Sequence, residues 1–243
     1  RADDAETVIR QAGRHARIDS SRVALFGSSA GGWVATIVAG RSNIDLAGLV
    51  MSAGPVESVF DQQWHVAEAW LTREGFEQEV IDRAVEYVRL TAGRESGPEV
   101  IERLNRGYQA AQRDGWDELL VEPPPTLDTL AESWARRNRY DPENDLARIS
   151  VPMLAFYGED DYVVPPEYNV PKLETAMRRA DNDDVSIVVL RGVGHAMESV
   201  NGIVQLPDAP ATAYYFNWNR VPAGYGSTME RWLVRVLAPN SPR

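Results

Sequence analysis

Four apolar residues, Val23-Ala24-Leu25-Phe26, run directly into the turn Gly27-Ser28-Ser29-Ala30-Gly31-Gly32. That turn opens on a second apolar stretch, residues 33–39, closed by Gly40. A short apolar run bounded by glycine suits a strand buried on both faces of a parallel sheet, and parallel neighbours must be joined by a crossover helix. The pattern therefore predicts strand, tight turn and helix in succession. Residues 46–52 form the next apolar run, ended by Ala53-Gly54-Pro55, and read as a second buried strand. A chain organised this way is expected to adopt an α/β fold around a mostly parallel sheet.

Residues 3–17, upstream of the first strand, read as an amphipathic helix without an apolar signal stretch, and the natural N-terminus is expected to lie further upstream. From about Ser58 to Arg139 strand-like runs vanish. Charge density is high, and apolar residues recur at spacings of three and four, as in Phe76, Val80, Ala84 and Val88. Gly75, Gly93, Gly97-Pro98, Gly115 and Pro123-Pro124-Pro125 divide this stretch into several short helices, with Trp64, Trp70, Trp116 and Trp134 as its apolar mass. After Asp141-Pro142 the alternation returns, with apolar runs at 151–157 and 185–190, a helix expected over 171–180, and a last amphipathic helix over 228–237. The predicted organisation is a core part over 1–57, an all-helical insertion over 58–140, and a second core part over 141–243.

Several function classes are disfavoured by composition. A net charge of −11 over 243 residues, with no Lys/Arg block, opposes a phosphate backbone, so nucleic acid is not expected as a partner. No apolar run reaches the roughly 18 residues of a membrane span, and no membrane partner is expected. With no cysteine and three scattered histidines there is neither a thiolate nucleophile nor a metal-ligand spacing, and no cofactor or metal is expected. The same lack of cysteine leaves the compartment open.

Chemistry concentrates in three loops. Gly27-Ser28-Ser29-Ala30-Gly31 fits Gly-x-Ser-x-Gly, a pattern that arises by accident in about one chain in ten of this length. Here it lies between a predicted strand and a predicted helix, where a nucleophilic serine occupies a strained turn. A phosphate loop would need a lysine that is absent and a Gly-x-Gly-x-x-Gly spacing that does not occur. A serine hydroxyl needs a base to become nucleophilic, and the base needs a partner that fixes its tautomer. His15 lies on the polar first helix and His65 opens the insertion. His195, in Gly192-Val193-Gly194-His195, follows the last predicted strand at its carboxyl end, where open α/β sheets carry their ligand-handling residues. The orienting acid comes from Glu159, Asp160 or Asp161, in the turn after residues 151–157. Chain order admits all three, and acids clustered in a loop are usually just solvated.

Together, Gly27-x-Ser29-x-Gly31-Gly32-Trp33, Gly158-Glu159-x-Asp161-x-x-Val164-Pro165-Pro166 and Gly192-x-Gly194-His195 resemble the α/β-hydrolase superfamily. The branch they resemble holds serine esterases and prolyl-oligopeptidase-like or aminopeptidase-like hydrolases that carry a helical cap. The likeness covers residues 18–56 and 146–237, including the closing segment from Pro222 to Leu233. It implies that the acid is Asp161, third after the glycine, and that the backbone N–H of Ala30 is one oxyanion-hole donor. It also implies about four strands before the nucleophile strand, with the second oxyanion donor in the loop after the third of them. None of these lies in this sequence. A missing N-terminal half, from the same protein or a separate chain, is therefore expected to complete the sheet.

The resulting expectation is acyl transfer through Ser29, His195 and Asp161 on a small ester, with an acyl-enzyme intermediate. The alternatives are a peptidase acting on short peptides, with Glu68, Glu74 or Glu198 to hold a free amine, and a non-catalytic binding module on the same fold. The insertion is expected to wall the substrate site, with Trp64, His65 and, from the stretch Tyr214-Tyr215-Phe216-Asn217-Trp218, Trp218 as candidate contacts.

Overall fold

The computed structural model describes residues 1–41, 44–117, 124–199 and 221–238, and divides into two compact units. One comprises residues 1–56 and 142–243; the other is residues 57–141.

In the first unit, β1 (Ala24–Ser28), β2 (Gly48–Ser52), β3 (Met153–Gly158) and β4 (Val185–Leu190) form a parallel sheet in that spatial order. Every residue of β2 and β3 is buried, which is why these segments read as unbroken apolar runs rather than as alternating ones. The two-residue period of a strand then sorts their side chains between two cores. Leu49 and Met51 of β2, with Met153, Ala155 and Tyr157 of β3, join Ala35 of α2 (Gly31–Ala39), Leu146 of α7 (Glu143–Leu146) and Leu173 of α8 (Pro166–Arg179). Val50, Leu154 and Phe156 project the other way, onto Trp232 and Val236 of α9 (Ala223–Val236). A further helix, α1 (Ala2–Ala12), packs through Ala2, Ala5 and Ile9 with Val38 and Leu46. Burying such residues contributes roughly 1.5–3 kcal/mol per large side chain, so β2 and β3 are the mechanical centre of the unit.

At the edge, β1 has no partner strand on its outer side among the described residues, and Phe26 in its middle is 51% exposed.

Two helices differ from expectation. α1 stops at Ala12 rather than reaching residue 17. Gly13 weakens helix propagation, and the amides of Arg14 and His15 turn back onto the carbonyls of Gln11 and Ala12 at 3.1 and 2.9 Å. α8 starts at Pro166, five residues before the expected position. Proline is tolerated in a first turn, whose N–H groups have no intrahelical acceptor anyway, and the helix continues through Pro171 with one backbone donor fewer.

The second unit is helical: α3 (Val59–Arg73), α4 (Gln78–Thr91), α5 (Pro98–Asp114) and α6 (Leu127–Ser133), followed by a π-helical turn, Trp134–Asn138. Local signals set the ends. The Ser58 hydroxyl accepts the Asp61 N–H at 3.0 Å, Pro98 opens α5, and Gly115 closes α5 in the left-handed region at φ 79°. Trp116, fully buried, packs edge-on to Tyr87 among Leu71, Ile81, Leu90, Leu104 and Leu130. The Val59 N–H donates to the Tyr140 carbonyl at 3.0 Å, so the two ends of this unit meet. No helix among the described residues is long and apolar enough to cross a membrane.

α9 is tied to the start of β4 by Arg235, whose two terminal nitrogens each meet an Asp184 oxygen at 2.7 Å. These hydrogen bonds hold the Asp184 carboxyl below the usual carboxylate range, against the opposing effect of burial. A depressed folded pKa contributes stability that is complete above the unfolded value, about 4, and is lost as pH falls through the folded one. Both side chains are about half exposed, so Asp184→Asn is expected to cost no more than about 1 kcal/mol at pH 7. In urea unfolding, the gap between variant and wild type should close below about pH 4.

Candidate functional site

Ser29, Asp161 and His195 follow β1, β3 and β4 respectively, so all three leave the sheet at the carboxyl ends of parallel strands. Ser29 lies at φ 51°, in the left-handed region that a side chain with a Cβ rarely adopts. Its N–H donates to the Ser52 carbonyl at 3.0 Å, and its own carbonyl accepts from Gly32 N–H at 2.7 Å. The turn is this tight because α2 folds straight back over β1. A Cβ on Gly27 would lie 2.6 Å from the Gly31 carbonyl oxygen and 2.7 Å from the Ala35 Cβ, so only glycine permits the approach.

The Ser29 Oγ is 2.9 Å from His195 Nε2, and His195 Nδ1 is 2.9 and 3.1 Å from the two carboxylate oxygens of Asp161. An ionised carboxylate only accepts, so Nδ1 carries the proton and donates it to Asp161, which leaves Nε2 to accept from the serine hydroxyl. The Asp161 side chain is fully buried, and its Oδ1 also accepts the N–H groups of Val163 and Val164 at 2.8 and 2.9 Å. The imidazole is about one quarter exposed. A hydroxyl held in this way can lose its proton to the ring as it attacks an electrophilic carbon. Ala30 is exposed, and its N–H has no acceptor among the described residues.

Of the three acids in the loop, Asp161 alone meets the histidine. Glu159 is exposed, as expected of a solvated acid, but sequence reasoning passed over its contact: Oε2 accepts the Gly192 N–H at 3.1 Å. The Glu159 N–H donates to Leu190 O at 2.9 Å, and the Asp160 N–H to Val193 O at 3.0 Å. The acid loop and the histidine loop are thus laced together along their backbones.

Sequence reasoning also passed over Ser52, which is 2% exposed at the end of β2. Its hydroxyl accepts from Tyr225 Oη at 3.0 Å. A lone serine closing an apolar run carries no signal of such a contact.

Of the remaining candidates, Glu198 lies in the first unit, others belong to the helical unit, and the rest lie outside the described residues. His65 is buried, with Nδ1 2.5 Å from the buried Glu57 carboxylate, and its ring lies tilted at 52° against half-buried Trp64, with ring centres 3.7 Å apart. The Arg89 guanidinium lies 4.7 Å from the Trp64 ring centre. Trp218 and the rest of 214–218 lie outside the described residues. Glu198, three residues past His195, has one carboxylate oxygen buried without a hydrogen-bond partner among the described residues. No cluster of His, Asp and Glu among the described residues has the geometry to hold a metal ion.

Residues 2–199 match the family described as serine aminopeptidase, S33. The chain belongs to this family of α/β-hydrolases. It is therefore a hydrolase on the fold expected from its strand and turn pattern. No curated protein sequence matches it. Among solved structures it is similar to a lipase in its open form, at 17% identity and TM-score 0.48, covering 98% of this chain and 72% of that one. An esterase from Thermogutta terrifontis is similar at 21% identity and TM-score 0.45, with the same coverage. A puromycin-hydrolyzing peptidase of Mycobacterium tuberculosis is similar at 15% identity and TM-score 0.43, covering 80% of this chain and 22% of that one. Likeness at this level carries no functional argument.

The lacing of the two loops depends on close packing at Gly158. A Cβ there would press into the Val193 carbonyl oxygen and lie 2.8 Å from that of Gly194. Gly158→Ala is expected to destabilise the protein by about 1–3 kcal/mol, as overpacking does. Chemical denaturation checks the cost, and a crystal structure of the variant should show the His195 loop displaced from Asp161.

Proposed function

We propose that the chain is a serine hydrolase that cleaves a carboxylic ester through an acyl-enzyme intermediate. The supporting observation is the unbroken line of hydrogen bonds from Ser29 Oγ through the His195 ring to buried Asp161. In this reading Ser29 attacks the ester carbonyl while His195 Nε2 takes its proton. The ring then hands that proton to the departing alcohol, and water, activated by the same nitrogen, releases the acid. Asp161 holds the ring's tautomer and orientation. The exposed Ala30 N–H serves as one donor to the tetrahedral oxyanion, a contribution of roughly 3–4 kcal/mol per donor in a comparable protease.

A second reading, peptide hydrolysis, is favoured by two observations. The matched family is described as serine aminopeptidase, and Glu198 keeps a buried oxygen, without a hydrogen-bond partner among the described residues, close in sequence to His195. Such a carboxylate would suit a substrate ammonium. Comparing the turnover of short acyl esters with that of aminoacyl amides separates the two readings.

The test of the main reading is intact mass after treatment with a fluorophosphonate. One adduct on the wild type, lost in Ser29→Ala and His195→Ala, is the expected result. No adduct on the wild type would replace catalysis with a binding role. Among labelled variants, Asp161→Asn should keep the fold and lose about 10⁴ in kcat on a short acyl ester.

We also propose that further parallel strands extend the sheet beyond β1, from a preceding segment of the same protein or from a separate polypeptide, and carry the second oxyanion donor. Support comes from the open edge of β1 and the half-exposed Phe26 in its middle, since an uncovered core strand edge is an association hazard. Light scattering on the isolated chain should then show self-association. A stable, soluble monomer of 27.0 kDa would count against this extension.

A further inference from the structure

We propose that Tyr225 and Ser52 are positioning residues that hold the nucleophile turn from behind, through a relay running from α9 to the backbone of Ser29. The inference rests on the serine-hydrolase reading above and adds a part to it. Ser29 sits in a conformation that costs on the order of 1–3 kcal/mol and persists only where its surroundings over-determine it. The surroundings in question are the last residue of β2 and what holds that residue.

Ser52 is held at three points. Its carbonyl accepts the Ser29 N–H at 3.0 Å. The following residue, Ala53, is itself left-handed at φ 47°, and its N–H is fixed to the Phe156 carbonyl of β3 at 2.8 Å. The Ser52 side chain receives the Tyr225 hydroxyl at 3.0 Å, and the Tyr225 ring packs edge-on against Phe156 with centres 4.7 Å apart. Two strained backbone positions, Ser29 and Ala53, therefore flank one buried serine in space, and among the described residues the only side-chain hydrogen bond on that serine comes from α9.

The direction of the hydrogen bond matters. Burial pushes the Tyr225 phenol above its ordinary range, against the opposing hydrogen bond to Ser52, so the hydroxyl stays protonated and donating at neutral pH. A neutral donor fixes the Ser52 rotamer without placing a charge beside the nucleophile. Held through its side chain, the Ser52 backbone resists the small shift that would carry its carbonyl, and with it the Ser29 N–H and the adjoining Ala30 peptide, out of place. A bond of this kind thus bears on where the hydroxyl and the oxyanion donor point. Small misplacements at such positions are felt in turnover rather than in substrate affinity.

The experiment measures kcat, KM and the fluorophosphonate labelling rate on the full chain for Tyr225→Phe, Ser52→Ala, Ser52→Thr and the Tyr225→Phe/Ser52→Ala double variant. Tyr225→Phe and Ser52→Ala should each lower kcat and labelling by about threefold to tenfold, the range of one neutral hydrogen bond, with KM within about twofold of wild type. The double variant should be no worse than Ser52→Ala, because both changes cut one relay. Ser52→Thr, which keeps the hydroxyl on a strand-favouring side chain, should restore most of the rate. Wild-type labelling and turnover in Tyr225→Phe would overturn the relay, as would additive losses. So would loss of thermal stability in both single variants with kcat unchanged. If the wild type itself takes no label, the serine-hydrolase reading falls and the relay falls with it; a labelled wild type with an equally labelled Tyr225→Phe removes the relay alone.

Discussion

A single backbone hydrogen bond, from the Ser29 N–H to the Ser52 carbonyl, joins a left-handed residue of the candidate site to a strand buried along its full length. Left-handed backbone at a residue with a Cβ is unfavourable on its own. Here it is imposed by neighbours that cannot move. β1 is in register with β2, so that Ser28 faces Ser52, and β2 is buried on both faces along its full length. α2 is pressed onto β1 through Gly27. The apolar content of β2 therefore matters to chemistry as well as to stability, because it makes a rigid abutment for a turn that would otherwise relax.

Asp161 and His195 are held by a different device. Asp161 and His195 leave adjacent strands, β3 and β4, and the loops that carry them exchange hydrogen bonds at Leu190, Val193 and Gly192 before the side chains meet. Met197, also left-handed at φ 58°, bends the histidine loop back so that its N–H reaches the Gly194 carbonyl. The imidazole is therefore placed by the backbone first and by Asp161 second. In the proposed hydrolase reading, such preorganisation lets a weak base and a weak nucleophile face each other without an ordering cost at the moment of reaction.

Much of this arrangement was legible in the sequence, for identifiable reasons. Glycine at position 27 and apolar residues on both sides of the turn announce a strand driven into a helix, and His195 stands out because few histidines compete with it. Asp161 could be separated from Glu159 and Asp160 only through a family pattern, since spacing treats three adjacent carboxylates alike. The hydrogen bond from Gly192 to exposed Glu159 was not legible because acceptance of a backbone N–H from another loop leaves no periodic trace, and Ser52 went unnoticed for the same reason. The early start of α8 was missed because Pro171 was taken as the helix opener, whereas Pro166 opens it and Pro171 lies inside it. In the helical unit, apolar spacing located the helices, but the burial of Glu57 beside His65 depends on how those helices pack, which a one-dimensional pattern does not carry.

The meeting of Val59 and Tyr140 through one backbone hydrogen bond gives the 57–141 segment a closed base. The ends of these eighty-five residues, counting both end positions, thus meet, and their apolar side chains gather in a core of their own. For the β-sheet, this long detour is topologically equivalent to a short loop. A segment built in this way can be lengthened, shortened or exchanged over generations, or grafted by an engineer, while the register of β2 against β3 is left untouched. Diversity in one half of the molecule is thereby uncoupled from the invariance that the strained turn demands of the other.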